Sequence, residues 1–253
     1  QKHNYLPRIV DGSLTTALAL EEGNRHSQFS ISTKATKAGN EYKISGEKTF
    51  VIDGHCSNLI VVVARTEGSD DDASGITLFL VEANTDGIEI TKTSMVDSRN
   101  SANIKFDNVT VSSSNLLGEE NNGAAILEEV LDRAQIAISA EMLGNASQAF
   151  DVTLDYLKER KQFGSVIGTF QALQHRAAEM YSELELTKSS VIAACNAVDE
   201  NSNDLKRMAS LAKYKAGETN YLVTNEAVQM HGGVGVTDEY DVGLYLKRAR
   251  VTE

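Results

Sequence analysis

The sequence predicts an α+β protein: a small antiparallel β-sandwich or barrel domain followed by an antiparallel four-helix bundle. Two observations carry that expectation. The apolar period changes near Gly118, from short alternating or continuous runs to steps of three and four. The turn pairs that separate short apolar runs lie before Gly118. A β-domain over residues 1–117 and a helical domain over residues 118–253 are therefore expected.

In the first half, Ile31, Thr33 and Ala35 alternate with polar residues, and residues 40–46 repeat that period. Residues 59–64 form a continuous, mostly β-branched run, the pattern of a strand buried on both faces. Further strands are expected at 76–81, 87–91, 102–106 and 109–111. Gly39-Asn40, Asp53-Gly54, Asp70-Asp71-Asp72 and Asp86-Gly87 separate them with turn chemistry. Roughly seven short strands at this spacing point to a small antiparallel sandwich or barrel.

In the second half, Ile136, Ala140, Leu143, Ser147, Phe150, Leu154 and Leu157 recur at helical steps. Phe170, Leu173, Ala177, Met180, Leu184, Val191, Ala194 and Val198 do the same. A third stripe runs over 205–229, after a polar loop at 199–204, and a short fourth pattern over 241–253. Long amphipathic stripes joined by short connections read as an antiparallel bundle.

Composition excludes several classes. Apolar residues make up 41% of the 253, enough for a core. Lys plus Arg is 24 against 36 Asp plus Glu, a net charge of −12 that disfavours nucleic acid and anionic membranes as partners. No apolar run reaches the ~20 residues of a membrane span. The five histidines lack metal-ligand spacing, and no nucleophile elbow is present. Two distant cysteines and no apolar leader at 1–5 suit a reduced compartment, bacterial cytoplasm or mitochondrial matrix. The first residue is Gln1, not Met, so earlier residues of the native protein are expected to be missing.

Two places concentrate chemistry. Glu159-Arg160-Lys161-Gln162-Phe163-Gly164 lies between two helical stripes and is followed by Phe170-Gln171. Gln229-Met230-His231-Gly232-Gly233-Val234-Gly235 breaks the third stripe. Arg160 offers a planar fork suited to phosphate, and bare backbone at Gly232 and Gly233 allows close approach. Taken alone, the first cluster reads equally well as a helix C-terminus with Gly164 as its C-cap. Arg25-His26 could face a ligand or simply form a surface turn.

At these residues the chain resembles the acyl-CoA dehydrogenase family of flavoproteins. The likeness is an ordered series: residues 46–54, Phe106-Asp107-Asn108-Val109, Asn115-Leu116-Leu117-Gly118, Glu141-Met142-Leu143-Gly144, then the two clusters above. The family has an N-terminal helical domain, a middle β-domain and a C-terminal bundle. The two halves here resemble the last two, and Tyr5-Leu6-Pro7 resembles the joint before them, so the chain is expected to be part of a longer protein. The resemblance implies FAD, with the flavin ring between β-domain and bundle. It implies that Arg160 and Phe163 contact the pyrophosphate and ribityl region, with Gln162 nearby and Gln171 toward the adenine. Gln229, Gly232 and Gly233 would line the dinucleotide of a neighbouring subunit, so a homodimer, homotetramer or heteromer is implied. Phe50 would be the aromatic residue beside the flavin. The implied reaction is α,β-dehydrogenation of an acyl-CoA thioester, a carboxylate base taking the α proton and a hydride passing to flavin N5. Electron-transferring flavoprotein or another acceptor would take the electrons.

Departures from the family pattern leave alternatives. Ile52 stands where a threonine or serine near flavin N5 is usual, and it cannot donate a hydrogen bond. Leu20-Glu21-Glu22 and Arg25-His26-Ser27 replace the usual Thr-Glu-Pro and Ser-Asp. The family's catalytic glutamate is expected just beyond Glu253. An alternative position on the first bundle helix falls near Ala134, which cannot act, so the catalytic residue is unknown. A related flavin oxidase and a noncatalytic subunit of a heteromer remain as alternatives.

Overall fold

The computed structural model describes residues 1–253, which divide into two compact units, Gln1–Glu128 and Glu129–Glu253. The first unit opens with helix α1 (Lys2–Val10). Strands β1 (Thr16–Ala19), β2 (Lys34–Ala38), β3 (Glu41–Ile52) and β4 (Leu59–Arg65) follow. Then come β5 (Ile76–Glu82), β6 (Ile88–Ser94), β7 (Asn100–Ser112) and the short β8 (Leu116–Leu117). All eight belong to one sheet of order β6-β7-β3-β2-β4-β5-β8, with β1 on β4.

The expected β-domain is present, with three differences of detail. β1 is an extra strand, and it pairs parallel to β4, so the sheet is mixed rather than wholly antiparallel. Residues 102–106 and 109–111 are one strand, β7, which passes a bulge where Asn108 takes a positive φ of 51°. Ile31 and Thr33 are buried but precede β2 instead of belonging to it. The continuous run in β4 is buried almost throughout, as its composition requires. Side chains from β1 to β7 fill one core, in which the Tyr42 and Phe79 rings meet edge-on at 5.0 Å.

Two buried cations shape the loops of this unit. Arg65 is 3% exposed and has no acidic partner. Its guanidinium donates to the carbonyl oxygens of Phe29, Ile31, Glu67, Asp70, Asp72 and Ser74. The exposed Asp70-Asp71-Asp72 loop is thus tied through its backbone carbonyls to the stretch before β2. Lys48 is fully buried, and its Nζ donates to Glu22 Oε1 at 2.6 Å and Leu20 O at 3.1 Å. Glu22 also accepts from the backbone N–H groups of Ser32 and Thr33.

The helical elements are α2 (Gly123–Glu159), α3 (Gln171–Asp199), α4 (Leu205–His231) and α5 (Val242–Thr252). Between α2 and α3 lies a hairpin of β9 (Lys161–Gln162) and β10 (Ser165–Val166). α3 and α4 are antiparallel: Arg176 pairs with Glu226, Glu183 with Lys215, and Thr187 Oγ1 with Thr219 Oγ1. α2 and α4 run the same way, since Asn145 meets Asn220 and Tyr156 meets His231. α5 returns along α4, with Lys213 Nζ donating to Glu253 O at 2.6 Å. The expected up-down-up-down bundle is thus present, its core built from Ala149, Leu157, Met180, Leu184, Val223 and Met230 among others.

Candidate cofactor site

Arg160 follows the last residue of α2, and the chain turns straight into the hairpin. Phe163 and Gly164 are its two turn residues, with φ of 55° and 80°. Positive φ at both central positions is what a type I′ hairpin turn needs, and Asn-Gly is its usual solution. Gly164 is therefore a turn residue, and the helix C-cap reading of this cluster does not hold. Phenylalanine in left-handed backbone costs on the order of 1–2 kcal/mol. Phe163 recovers little of that by burial: it is 92% exposed, with only an edge contact to Phe170 at 6.3 Å between ring centroids. Arg160, Gln162 and Gln171 are exposed beside it, and Arg160 makes no ion pair.

The turn after α4 lies at the same end of the bundle, because Tyr156 OH donates to His231 O at 3.3 Å. His231 is buried, stacked on Tyr156 at 4.2 Å and edge-on to Tyr240 at 5.0 Å. Its Nδ1 lies 2.7 Å from Ala227 O, so Nδ1 carries the hydrogen, and Nε2 is a buried acceptor without a partner. Burial lowers the His231 pKa below its ordinary 6.5, outweighing the bond to Ala227. Three glycines follow, for different reasons. Gly235 is required by packing, since a Cβ would lie 2.8 Å from Val228 O. Gly232 is required by its backbone, φ 67° and ψ −144°. Gly233 is required by neither: its φ is ordinary and a Cβ would meet nothing within 4 Å. Gln229 is exposed two residues before His231. The sequence reading found these glycines but not the Tyr156–His231–Tyr240 stack, whose members show no motif spacing.

In the β unit, Phe50 sits where β3 slips register against β7 between Lys48 and Val51. It too has a positive φ, 51°, and is 51% exposed. Its N–H donates to Asn103 Oδ1 at 3.3 Å. A cavity of about 580 Å³ adjoins it, lined also by Arg25, His26, Thr49, Ser101 and Asn103. Ser101 is fully buried and its Oγ has no hydrogen-bond partner. Ile52, directly across from Ser101 in the β3–β7 register, presents no donor.

A mixed β-sheet unit followed by an up-down bundle, with exposed aromatic and glycine turns, is the two-part architecture that the family resemblance implies. A family model described as the acyl-CoA dehydrogenase C-terminal domain matches residues 121–253, and one described as the middle domain matches 17–109. The short/branched chain specific acyl-CoA dehydrogenase of Bos taurus mitochondria is 34% identical over 99% of this chain and 58% of its own length. An acyl-CoA dehydrogenase of Geobacillus kaustophilus superposes with TM-score 0.94 at 32% identity, over 99% of this chain and 67% of that one. A chain in the structure of the electron transferring flavoprotein of Acidaminococcus fermentans superposes with TM-score 0.93 at 32% identity, over 99% and 67%. The chain belongs to the acyl-CoA dehydrogenase family, whose members are FAD-dependent oxidoreductases acting on CH–CH bonds. It spans 58% of the length of the Bos taurus relative. No helix is long and apolar enough to cross a membrane.

Proposed function

We propose that the protein carries out FAD-dependent α,β-dehydrogenation of an acyl-CoA thioester. The observation that carries this reading is the pair of exposed phenylalanines, Phe50 and Phe163, both held in left-handed backbone. Burial offsets little of that cost at Phe163 and only part of it at Phe50, and strain of this kind collects where a ligand is held. The other residues fit the same group. Arg160 is an unpaired planar cation, Gly233 is bare backbone that this chain's packing does not require, and Ser101 is an orphaned hydroxyl.

Phe50 would be the aromatic residue beside the flavin ring. Arg160 and Phe163 would hold the pyrophosphate and ribityl region with Gln162 nearby, and Gln171 would approach the adenine end. Gln229, Gly232 and Gly233 line the dinucleotide of a neighbouring subunit, so the working form is a homodimer, homotetramer or heteromer. When bound, FAD supplies the hydride acceptor at N5. A carboxylate base takes the α proton, made acidic by hydrogen bonds to the thioester carbonyl. Electron-transferring flavoprotein is the acceptor we assign, supported by the likeness to the Acidaminococcus fermentans structure.

Ile52 favours one second reading, a noncatalytic subunit of a heteromer that keeps the fold. Absorbance of the purified protein separates the two. A yellow protein bleached by an acyl-CoA without oxygen supports the dehydrogenase. A colourless one sinks it, and rapid peroxide formation on reoxidation identifies a flavin oxidase instead.

A further inference from the structure

The cavity beside Phe50 carries charge that a flat ring does not use. Its lining includes Gly23, Asn24, Arg25 and His26. The charged neighbours are already committed, with one exception. Glu21 Oε1 lies 2.5 Å from His26 Nδ1, and Glu22 is taken up by Lys48 and two backbone N–H groups. Arg25 is exposed and makes neither an ion pair nor a hydrogen bond. An unpaired arginine lining this cavity of about 580 Å³ is conspicuous in a chain of net charge −12. Also in its lining, Ser101 Oγ lacks a partner and Asn103 Oδ1 accepts from the Phe50 N–H. The cavity thus joins an aromatic face, one orphaned hydroxyl and one free planar cation.

We infer that Arg25 is an anion-recognising residue that selects the substrate, binding a phosphate or carboxylate of the thioester that enters this cavity. This rests on the dehydrogenase reading above and adds the group that selects the ligand. The guanidinium matches both anions bidentately, which a lysine ammonium does not. The Glu21–His26 contact braces the loop on which Arg25 stands. The anion has two chemical sources. It is either a phosphate of the coenzyme A nucleotide or a carboxylate at the far end of a dicarboxylic acyl group.

Calorimetric titration with coenzyme A and with pantetheine, which lacks the nucleotide phosphates, tests this without relying on bound flavin. Arg25→Ala is expected to weaken coenzyme A binding about tenfold or more and to leave pantetheine unchanged. Arg25→Lys recovers only part of the loss. If coenzyme A is unaffected but a glutaryl-pantetheine thioester loses about tenfold, the carboxylate is the anion. Arg25→Ala binding all three probes within twofold of wild type overturns the inference. Flavin content is read on the same samples. A colourless wild type that still loses coenzyme A affinity on substitution sinks the dehydrogenase reading and keeps the anion site. A yellow protein indifferent to Arg25→Ala does the reverse.

Discussion

Lys48 and Glu22 show how single residues set the chemistry of the β unit. Burial pulls the Lys48 pKa from 10.5 to about 8, although Glu22 opposes it. Burial also works against the Glu22 carboxylate, but the Lys48 charge and its hydrogen bonds outweigh it and hold that pKa below 4.5. The signs then follow. Between about pH 8 and 10.5 the unfolded chain keeps a proton on Lys48 that the folded chain has lost, so this residue adds stability as pH rises through that window. Glu22 contributes stability above its ordinary pKa, lost as pH falls through the lowered folded value. Glu22→Gln strands a fully buried ammonium and should cost about 3 kcal/mol at pH 7, shrinking above pH 8. Lys48→Met together with Glu22→Gln should recover most of that loss, and denaturant melts at both pH values check it. At Gly233 the expectation is the opposite kind. Gly233→Ala changes the stability of flavin-free protein by no more than about 0.5 kcal/mol, because nothing lies where the methyl group goes. Flavin retained through gel filtration should nevertheless fall sharply; a fully yellow variant would remove Gly233 from the site.

At the scale of elements, the β9–β10 hairpin sets local folding against ligand binding. A type I′ turn prefers Asn-Gly, yet it carries Phe163-Gly164. Phe163→Asn should therefore raise the stability of the flavin-free protein by roughly 0.5–1 kcal/mol while weakening FAD retention. A variant gaining stability with unchanged flavin affinity would make Phe163 a mere turn residue. The hairpin also marks what the sequence could and could not disclose. β4, β5 and the four helices were legible because their apolar runs follow a single period. β1 has only four residues and lies parallel to a distant strand, which leaves no alternating signature. β7 looked like two strands because the Asn108 bulge shifts the period midway. The Arg65 hub was invisible for another reason: its partners are backbone carbonyls, which any side chain can supply. Among candidate site residues, the composition of the two clusters was readable. The positive φ that sets Phe50 and Phe163 apart was not, since phenylalanine is a poor marker of left-handed backbone.

For the whole molecule, the proposed dinucleotide contacts divide between subunits, and this division can be tested by mixing. Arg160 and Gly233 both lie at the end of the bundle where Tyr156 OH meets His231 O. If each site takes Arg160 from one subunit and Gly233 from the next, Arg160→Ala and Gly233→Ala homo-oligomers should both be nearly colourless. Mixed dimers differ. One of their sites carries both substitutions, and the other carries none. Co-expressed at equal levels and assembled at random, half the dimers are mixed and half of their sites are intact. Flavin content should then return to about a quarter of wild type. If all contacts came from one chain, no intact site could arise and the mixture would stay colourless. The absorbance of co-expressed protein, with sedimentation velocity fixing the subunit number, separates the two outcomes. A flavin-loaded monomer of wild-type protein would exclude the shared site outright, whatever the mixture showed.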